Sequence, residues 1–431
     1  MQSLDLIAVL TVLTAAFGYI NVRLLKLPPT IALMALTLLF SMILLAIGRF
    51  IPAVERQARV VVEQFSFDEA LLHGMLGFLL FAGALHIDLN DLADHKWPIA
   101  VLASIGVLIS TAIVGGLTWV LSQTLGFPLR LIDGLLFGAL ISPTDPIAVL
   151  SLLKRIGAPR ILEIEIAGES LFNDGVGVAV FAGLLEVATG ERPLGAGSFA
   201  MLFFREALGG ALFGFLAGLV VYRLIKSVDH FRLEILLSLA LVAGGYSAAE
   251  HLHVSGPIAM VVAGLLIGNH GRSFAMSPTT IEHLDRFWGL LDEFLNAALF
   301  VMIGIEVLVL TFNGRFVLAG VLAVVIVLFA RLVSVGVPVW LLRRWERFEP
   351  SLIPILTWGG LRGGISVALA LSLRALGEDQ APRGRELIVA MTYVVVVFSI
   401  LVQGLTVGWL TRLWLPEGRK PLDPSRQATG A

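Results

Sequence analysis

The sequence predicts an all-α polytopic membrane protein with about thirteen transmembrane helices, arranged as inverted repeats with two interrupted helices. Three observations carry this expectation. Of the 431 residues, 57% are hydrophobic and only 14% are charged. The mean hydropathy is +0.91. Apolar runs of about 20 residues, the length that crosses a hydrocarbon core, recur from one end of the chain to the other. Lipid is therefore the main solvent, and no room remains for a separate soluble domain. A net charge of -2 offers nothing to a nucleic acid, and the absence of cysteine excludes disulfides and thiolate metal sites.

In chain order, apolar runs between charged or Pro/Gly-rich breaks place spans near 4–25, 30–49, 70–88, 98–122, 131–153, 161–188, 198–225, 233–252, 255–269, 295–312, 316–342, 351–376 and 386–413. The first has no basic n-region and is longer than a signal-peptide core, so it reads as a span. The seventh carries Gly210, Gly214 and Gly218 at four-residue spacing, which predicts close helix packing. Spans eight and nine are divided only by His251-Leu252-His253; as one re-entrant unit they would lower the count to twelve. Between spans nine and ten, Ile281 to Phe294 (IEHLDRFWGLLDEF) sets leucine and aromatic residues opposite acids. It reads as an interfacial helix, either bridging two halves of a transporter or simply capping a loop.

Charge orients the chain. With thirteen spans and a cytoplasmic C-terminal tail (416–431), the N-terminus lies outside. The cytoplasmic segments then hold 18 of the 30 Lys and Arg residues, outside segments hold 9, and Arg205, Arg331 and Arg362 fall within spans. That two-to-one bias fits the positive-inside rule and a multi-pass protein of the cytoplasmic (inner) membrane.

Ionisable groups at membrane depth are expensive, so each needs a partner or a task. Span five contains Ser142-Pro143-Thr144-Asp145-Pro146 near its centre. Two prolines three residues apart remove amide donors and break the helical ladder, which frees carbonyls beside Asp145. Such backbone is tolerated in a bilayer only where it lines a cavity or is buried in protein, and hard cations want oxygen ligands of this kind. Asp145 with the Thr144 carbonyl suits a monovalent cation; a merely kinked helix with Asp145 bonded to a neighbour is the alternative. Span six carries Glu169, Ser170, Asn173 and Asp174. At helical spacing these form two adjacent faces of one polar wall that can meet Asp145. Removing water from a carboxylate penalises its charged form, so a proton competes with a cation for the same group, which is enough for exchange.

Span twelve carries Trp358-Gly359-Gly360-Leu361-Arg362-Gly363-Gly364, a lone arginine among four glycines. Spans five and twelve are seven crossings apart and run in opposite directions, as corresponding elements of inverted repeats do. Arg362 needs a carboxylate, and Glu169 is the expected partner, with Asp174 as the alternative.

The stretch SPTDPIAVLSLLKRIGAPRILEIEIAGESLFNDGVGVAVF followed by GGLRGGISVALAL resembles the bacterial NhaP-type Na+/H+ antiporters of the monovalent cation/proton antiporter family. The resemblance runs over essentially all the spans. It implies the NhaA/NhaP-like antiporter fold: a core domain of about 98–188 and 295–376, and a dimerisation domain from about 4–88, 198–270 and 386–413. Residues 281–294 would be the interfacial linker helix and the molecule a homodimer. It implies Asp145 and Asp174 as essential carboxylates, and Ser170, Asn173 and the Thr144 carbonyl as further Na+ ligands. Glu169 and Arg362 would form a structural ion pair. The Asn173-Asp174 pair implies electroneutral exchange of one cation for one proton. Some members place a glutamate in span three after a Leu-Phe step, whereas this chain reads Leu80-Phe81-Ala82-Gly83.

The expected function is thus secondary antiport of Na+, with Li+ as a further candidate, against H+, with no cofactor beyond the transported ions. K+/H+ exchange on the same fold is the alternative, followed by a cation channel and a membrane-embedded hydrolase; the spans offer no Ser-His pair for the last. Arg331 is left outside the site, with Glu306 as a conceivable partner or the interface as its destination. His73, His251 and His253 read as interfacial histidines. Asp133, Glu163 and Glu165 read either as a cation funnel or as solvated loop residues.

Overall fold

The computed structural model describes residues 3–63, 67–127, 129–190, 196–310, 313–344, 348, 351–375 and 384–414. The predicted tail, 416–431, lies outside the described residues. The helices that carry the architecture are α1 (Ser3–Ile20), α2 (Pro29–Gly48), α3 (Pro52–Glu63), α4 (Leu76–Leu85), α5 (Val107–Thr124), α6 (Leu131–Ile141), α7 (Ile147–Ile156), α8 (Arg160–Ala188), α9 (Ala196–Lys226), α10 (Phe231–His251), α11 (Gly256–Leu266), α12 (Pro278–Glu306), α13 (Gly314–Leu342), α14 (Leu352–Gly359), α15 (Gly364–Ala375), α16 (Arg385–Phe398) and α17 (Gly404–Trp414).

Among the described residues, ten helical stretches are long and apolar enough to cross a membrane. The other three stretches read as spans are the broken pairs α6/α7 and α14/α15, and the short α11. Among the described residues no strand forms, and the sole sheet-like feature is one antiparallel bridge, between Asp145 and Leu361.

Small residues allow the close packing that apolar attraction between helices cannot supply in lipid. Along α5 and α6, a Cβ on Gly115 would lie 2.7 Å from the Leu135 Cα, and a Cβ on Gly138 would overlap the Thr111 carbonyl. Gly210, Gly214 and Gly218 of α9 are buried against Ser255, Ala259 and Ala263 of α11, the packing role their spacing predicted.

The largest change from expectation concerns residues 281–294. They are not a separate interfacial helix but the first half of α12, which runs unbroken for 29 residues. Its polar face is exposed at Glu282, Arg286 and Glu293, while its other face is buried. Leu284 and Trp288 are fully buried in one apolar cluster with Phe81, Tyr246 and Met260. Leu299 to Ile303, further along the same helix, sit in a second cluster with α6, α13, α15 and α16. A helix polar on one side at its start and apolar all round at its end can do this, because only the second half is surrounded by protein on every side.

Candidate functional site

The two interrupted helices meet at their breaks. Between α6 and α7, residues 142–146 are non-helical, as the two prolines demand. Between α14 and α15 the chain opens at Gly360. The Asp145 amide donates to the Leu361 carbonyl at 2.8 Å, so the two unwound segments satisfy part of each other's backbone.

Arg362 supplies the rest. Buried to 2% exposure, its Nη1 donates to the Ser142 carbonyl at 2.5 Å and to the Pro143 carbonyl at 2.9 Å. Its own amide donates to Ser399 Oγ at 2.9 Å. The guanidinium thus covers the negative C-terminal end of α6. At the opposite lip of the break, Asp145 Oδ1 accepts from the Ile147 amide at 2.9 Å, at the positive N-terminal end of α7. Each half-helix dipole faces a charge of complementary sign.

α8 lines this crossing with oxygen. Asn173 Oδ1 accepts from the Thr144 amide at 3.2 Å, while its Nδ2 donates to Thr144 Oγ1 at 2.8 Å. Ser170 Oγ donates to the Thr144 carbonyl. Thr144, Ser170 and Asn173 are all buried. Asp174, the next residue on α8, lies within electrostatic reach of Asp145. It is only partly covered and makes no hydrogen bond or ion pair among the described residues. The structure therefore gathers Asp145, Thr144, Ser170, Asn173 and Asp174 in one place: a carbonyl, an amide, hydroxyls and two carboxylates, a donor set suited to a hard cation.

The expected Glu169–Arg362 ion pair does not form. Glu169 instead takes a two-pronged bond from Arg331 of α13, Nη1 to Oε1 at 2.5 Å and Nη2 to Oε2 at 2.8 Å. Arg331 Nε adds a bond to the Leu356 carbonyl at 3.2 Å. Both side chains are sequestered, at 7% and 2% exposure. The physical reason is that Arg362 is already committed to carbonyls that the proline break leaves without donors, whereas Arg331 arrives from a continuous helix with its fork free to match a carboxylate. The signal was present in the sequence as the second arginine deep in an apolar span.

The glycines of span twelve now have a reason. A Cβ on Gly360 would sit 2.6 Å from Arg331 Nε, and one on Gly363 would sit 2.7 Å from Asp145 Oδ2. Both are places where a charged side chain passes directly over backbone.

Asp133 forms neither a funnel nor a solvated loop group: it is fully buried, capping α6 through paired bonds from Arg130. His73 lies 3.6 Å from Glu250 in a cavity of about 680 Å³ that also contains His253 and Arg205. Ala82, where some relatives of the resembled family carry glutamate, is buried at 2% exposure. Asp292 of α12, read from sequence only as part of a polar stripe, is within electrostatic reach of Asp145.

Known proteins share this chain's sequence family and its fold. The profile of the family described as "Sodium/hydrogen exchanger, transmembrane" matches residues 12–413. The Na+/H+ antiporter NhaP of Pseudomonas aeruginosa is 48% identical over 415 residues, covering 95% of this chain and 96% of that protein. The Na+/H+ antiporter NhaH of Halobacillus dabanensis is 36% identical, covering 89% and 91%. In fold, the solved structure of the sodium proton antiporter MjNhaP1 from Methanocaldococcus jannaschii superimposes with a TM-score of 0.76 at 20% identity, covering 95% of this chain and 99% of that one. Residues 12–413, from the first span to the last, make this chain a member of the sodium/hydrogen exchanger family.

Proposed function

We propose that the chain is a Na+/H+ antiporter of the cytoplasmic membrane, in which one Na+ and one H+ compete for Asp174 beside Asp145. The observation that carries this reading is the pairing of a partnerless Asp174 with an Asp145 pinned at the lip of a broken helix. Asp145, with one oxygen held by the Ile147 amide, is the fixed half of the site. Asp174 is the half free to take a proton or a cation. The relatives' names, Na+/H+ antiporter in each case, support the choice of ions.

Electroneutral exchange of one Na+ for one H+ is what the likeness of Asn173-Asp174 to the resembled family's Asn-Asp pair implies. Glu169 is neutralised by Arg331, so it takes no part in the cycle. Na+ and H+ each carry one positive charge, and a site that crosses with either one moves the same net charge. These charges are compatible with one-for-one, electroneutral exchange. Ser170, Asn173 and Thr144 complete the coordination of a dehydrated Na+. Access alternates when the core, about 98–188 and 295–376, moves against the remaining helices of a homodimer.

The test is dissipation of an imposed pH gradient by Na+, Li+ or K+ in proteoliposomes holding the parent or Asp174→Asn. Cation-selective exchange that vanishes in Asp174→Asn supports the reading. Exchange that persists in the variant removes Asp174 from it, and cation flux without proton flux replaces the antiporter with a channel.

A further inference from the structure

Two oxygen-bearing side chains of α12, Asp292 and Asn296, lie on the face that leads to the crossing. Asp292, Asn296 and Leu299 follow at spacings of four and three, so they share one helix face. Leu299 packs on Gly364, and Gly363 beside it faces the Asp145 carboxylate. The stripe therefore ends at the site, and the charges of Asp292 and Asp145 reach one another.

Asn296 is buried at 3% exposure. Its Nδ2 donates to both the Asp292 carbonyl, at 2.9 Å, and Asp292 Oδ1, at 3.1 Å. Its Oδ1 is buried with no hydrogen-bond partner. An acceptor left in this way beside a carboxylate is costly unless something positive visits it. His86 lies within electrostatic reach of Asp292, but no base hydrogen-bonds Asn296 Oδ1. Arg272 is taken by Asp285 through two bonds, and His86 Nε2 faces Asp285 at 3.8 Å. Asp292 forms no ion pair among the described residues.

We propose that Asp292 and Asn296 form a second oxygen-ligand station for the transported monovalent cation, met before Asp145 by a cation entering where α12 begins. The station offers a carboxylate oxygen and an amide oxygen, the ligand types that hard monovalent cations take. It lies about 21 Å along the helix from Pro278, at 1.5 Å per residue. The assignment rests on Asp145 being part of the transport site.

The experiment is Na+-driven dissipation of a pH gradient by the full chain in proteoliposomes, with Na+ titrated separately on each face. The variants are Asp292→Asn, Asn296→Ala, Asp292→Glu and Asp145→Asn. Asp292→Asn and Asn296→Ala are each expected to raise half-saturating Na+ about tenfold, the effect of about 1.4 kcal/mol in binding, on the face where α12 begins. Asp292→Glu is expected to recover most of that change. An equal rise on both faces, a loss confined to the maximal rate, or no change in half-saturation overturns the station. Should Asp292→Asn fail to insert, Asn296→Ala decides the question by the same criterion. Undiminished exchange by Asp145→Asn overturns the underlying site, and it is distinguishable because it appears in a separate variant.

Discussion

The two interrupted helices meet in the same bridge but are broken by opposite means. Residues 142–146 are broken by prolines, which take away donors and leave carbonyls facing a void of charge. Residues 359–364 are opened by glycines, which take away volume and let charged side chains cross the backbone. The consequence is a division of labour. The proline break needs a cation, and Arg362 from the other helix provides it. The glycine break leaves the Leu361 carbonyl open, which the Asp145 amide fills, and it makes room for Arg331 at Gly360 and for Asp145 at Gly363. A broken membrane helix is thus stable here because each break satisfies the deficit of the other.

The comparison can be broken most severely at the charge that the glycine break accommodates. Arg331→Ala leaves Glu169 buried and unpaired, and it should destabilise the protein by about 3–5 kcal/mol, measured as thermal unfolding in detergent. Adding Glu169→Leu should recover a large part of that loss. The same Glu169→Leu change added to Arg362→Met should recover little, since that pair shares no bond. Equal recovery in both backgrounds would mean the two arginines are interchangeable, contrary to the geometry.

A somewhat smaller effect belongs to the proline break. Arg362→Met strips two carbonyls of their donors, and it should cost about 2–4 kcal/mol in the same unfolding measurement, at roughly 1–3 kcal/mol per buried orphan. The space of the glycine break comes next. Gly363→Ala forces a methyl group onto the Asp145 carboxylate, and overpacking of this kind costs about 1–3 kcal/mol. Its larger consequence should be on transport, read as a fall in Na+-driven proton flux out of proportion to the fall in Tm. A fall in Tm with flux intact would place the effect on packing alone. The smallest effect expected is Pro143→Ala. The other proline still interrupts the ladder and Arg362 still covers the carbonyls, so the unfolding temperature should change by less than the equivalent of about 1 kcal/mol.

Much of the site was legible because its signals are local. Prolines at 143 and 146 break a helix wherever it packs, and helical spacing puts Ser170 and Asn173 on neighbouring faces of α8, although their bonds to Thr144 are contacts between segments. The Gly210-Gly214-Gly218 stripe predicted its own packing for the same reason. The misreadings involve relations between helices. Polarity made residues 281–294 read as a separate interfacial helix, yet they continue into 295–306, and Trp288 is buried against Phe81 of α4 and Ser238 of α10. Asp292 passed as a surface acid because nothing in its neighbourhood in the chain shows that the far end of its stripe abuts Asp145.

The sequence by itself determined the solvent, the approximate placement of most spans, the two points of interruption and the oxygen-rich face of α8, since these follow from apolar length, missing amide donors and helical periodicity. Only the tertiary structure decided which arginine serves which deficit. Arg331 and Arg362 are equal as residues in apolar spans, and spacing cannot rank them. The depth and rotation of α13 carry Arg331 onto Glu169, while the crossing of two unwound segments leaves Arg362 within reach of the carbonyls at 142 and 143. Coulomb attraction is non-specific in sequence and becomes specific only when packing has set the distances.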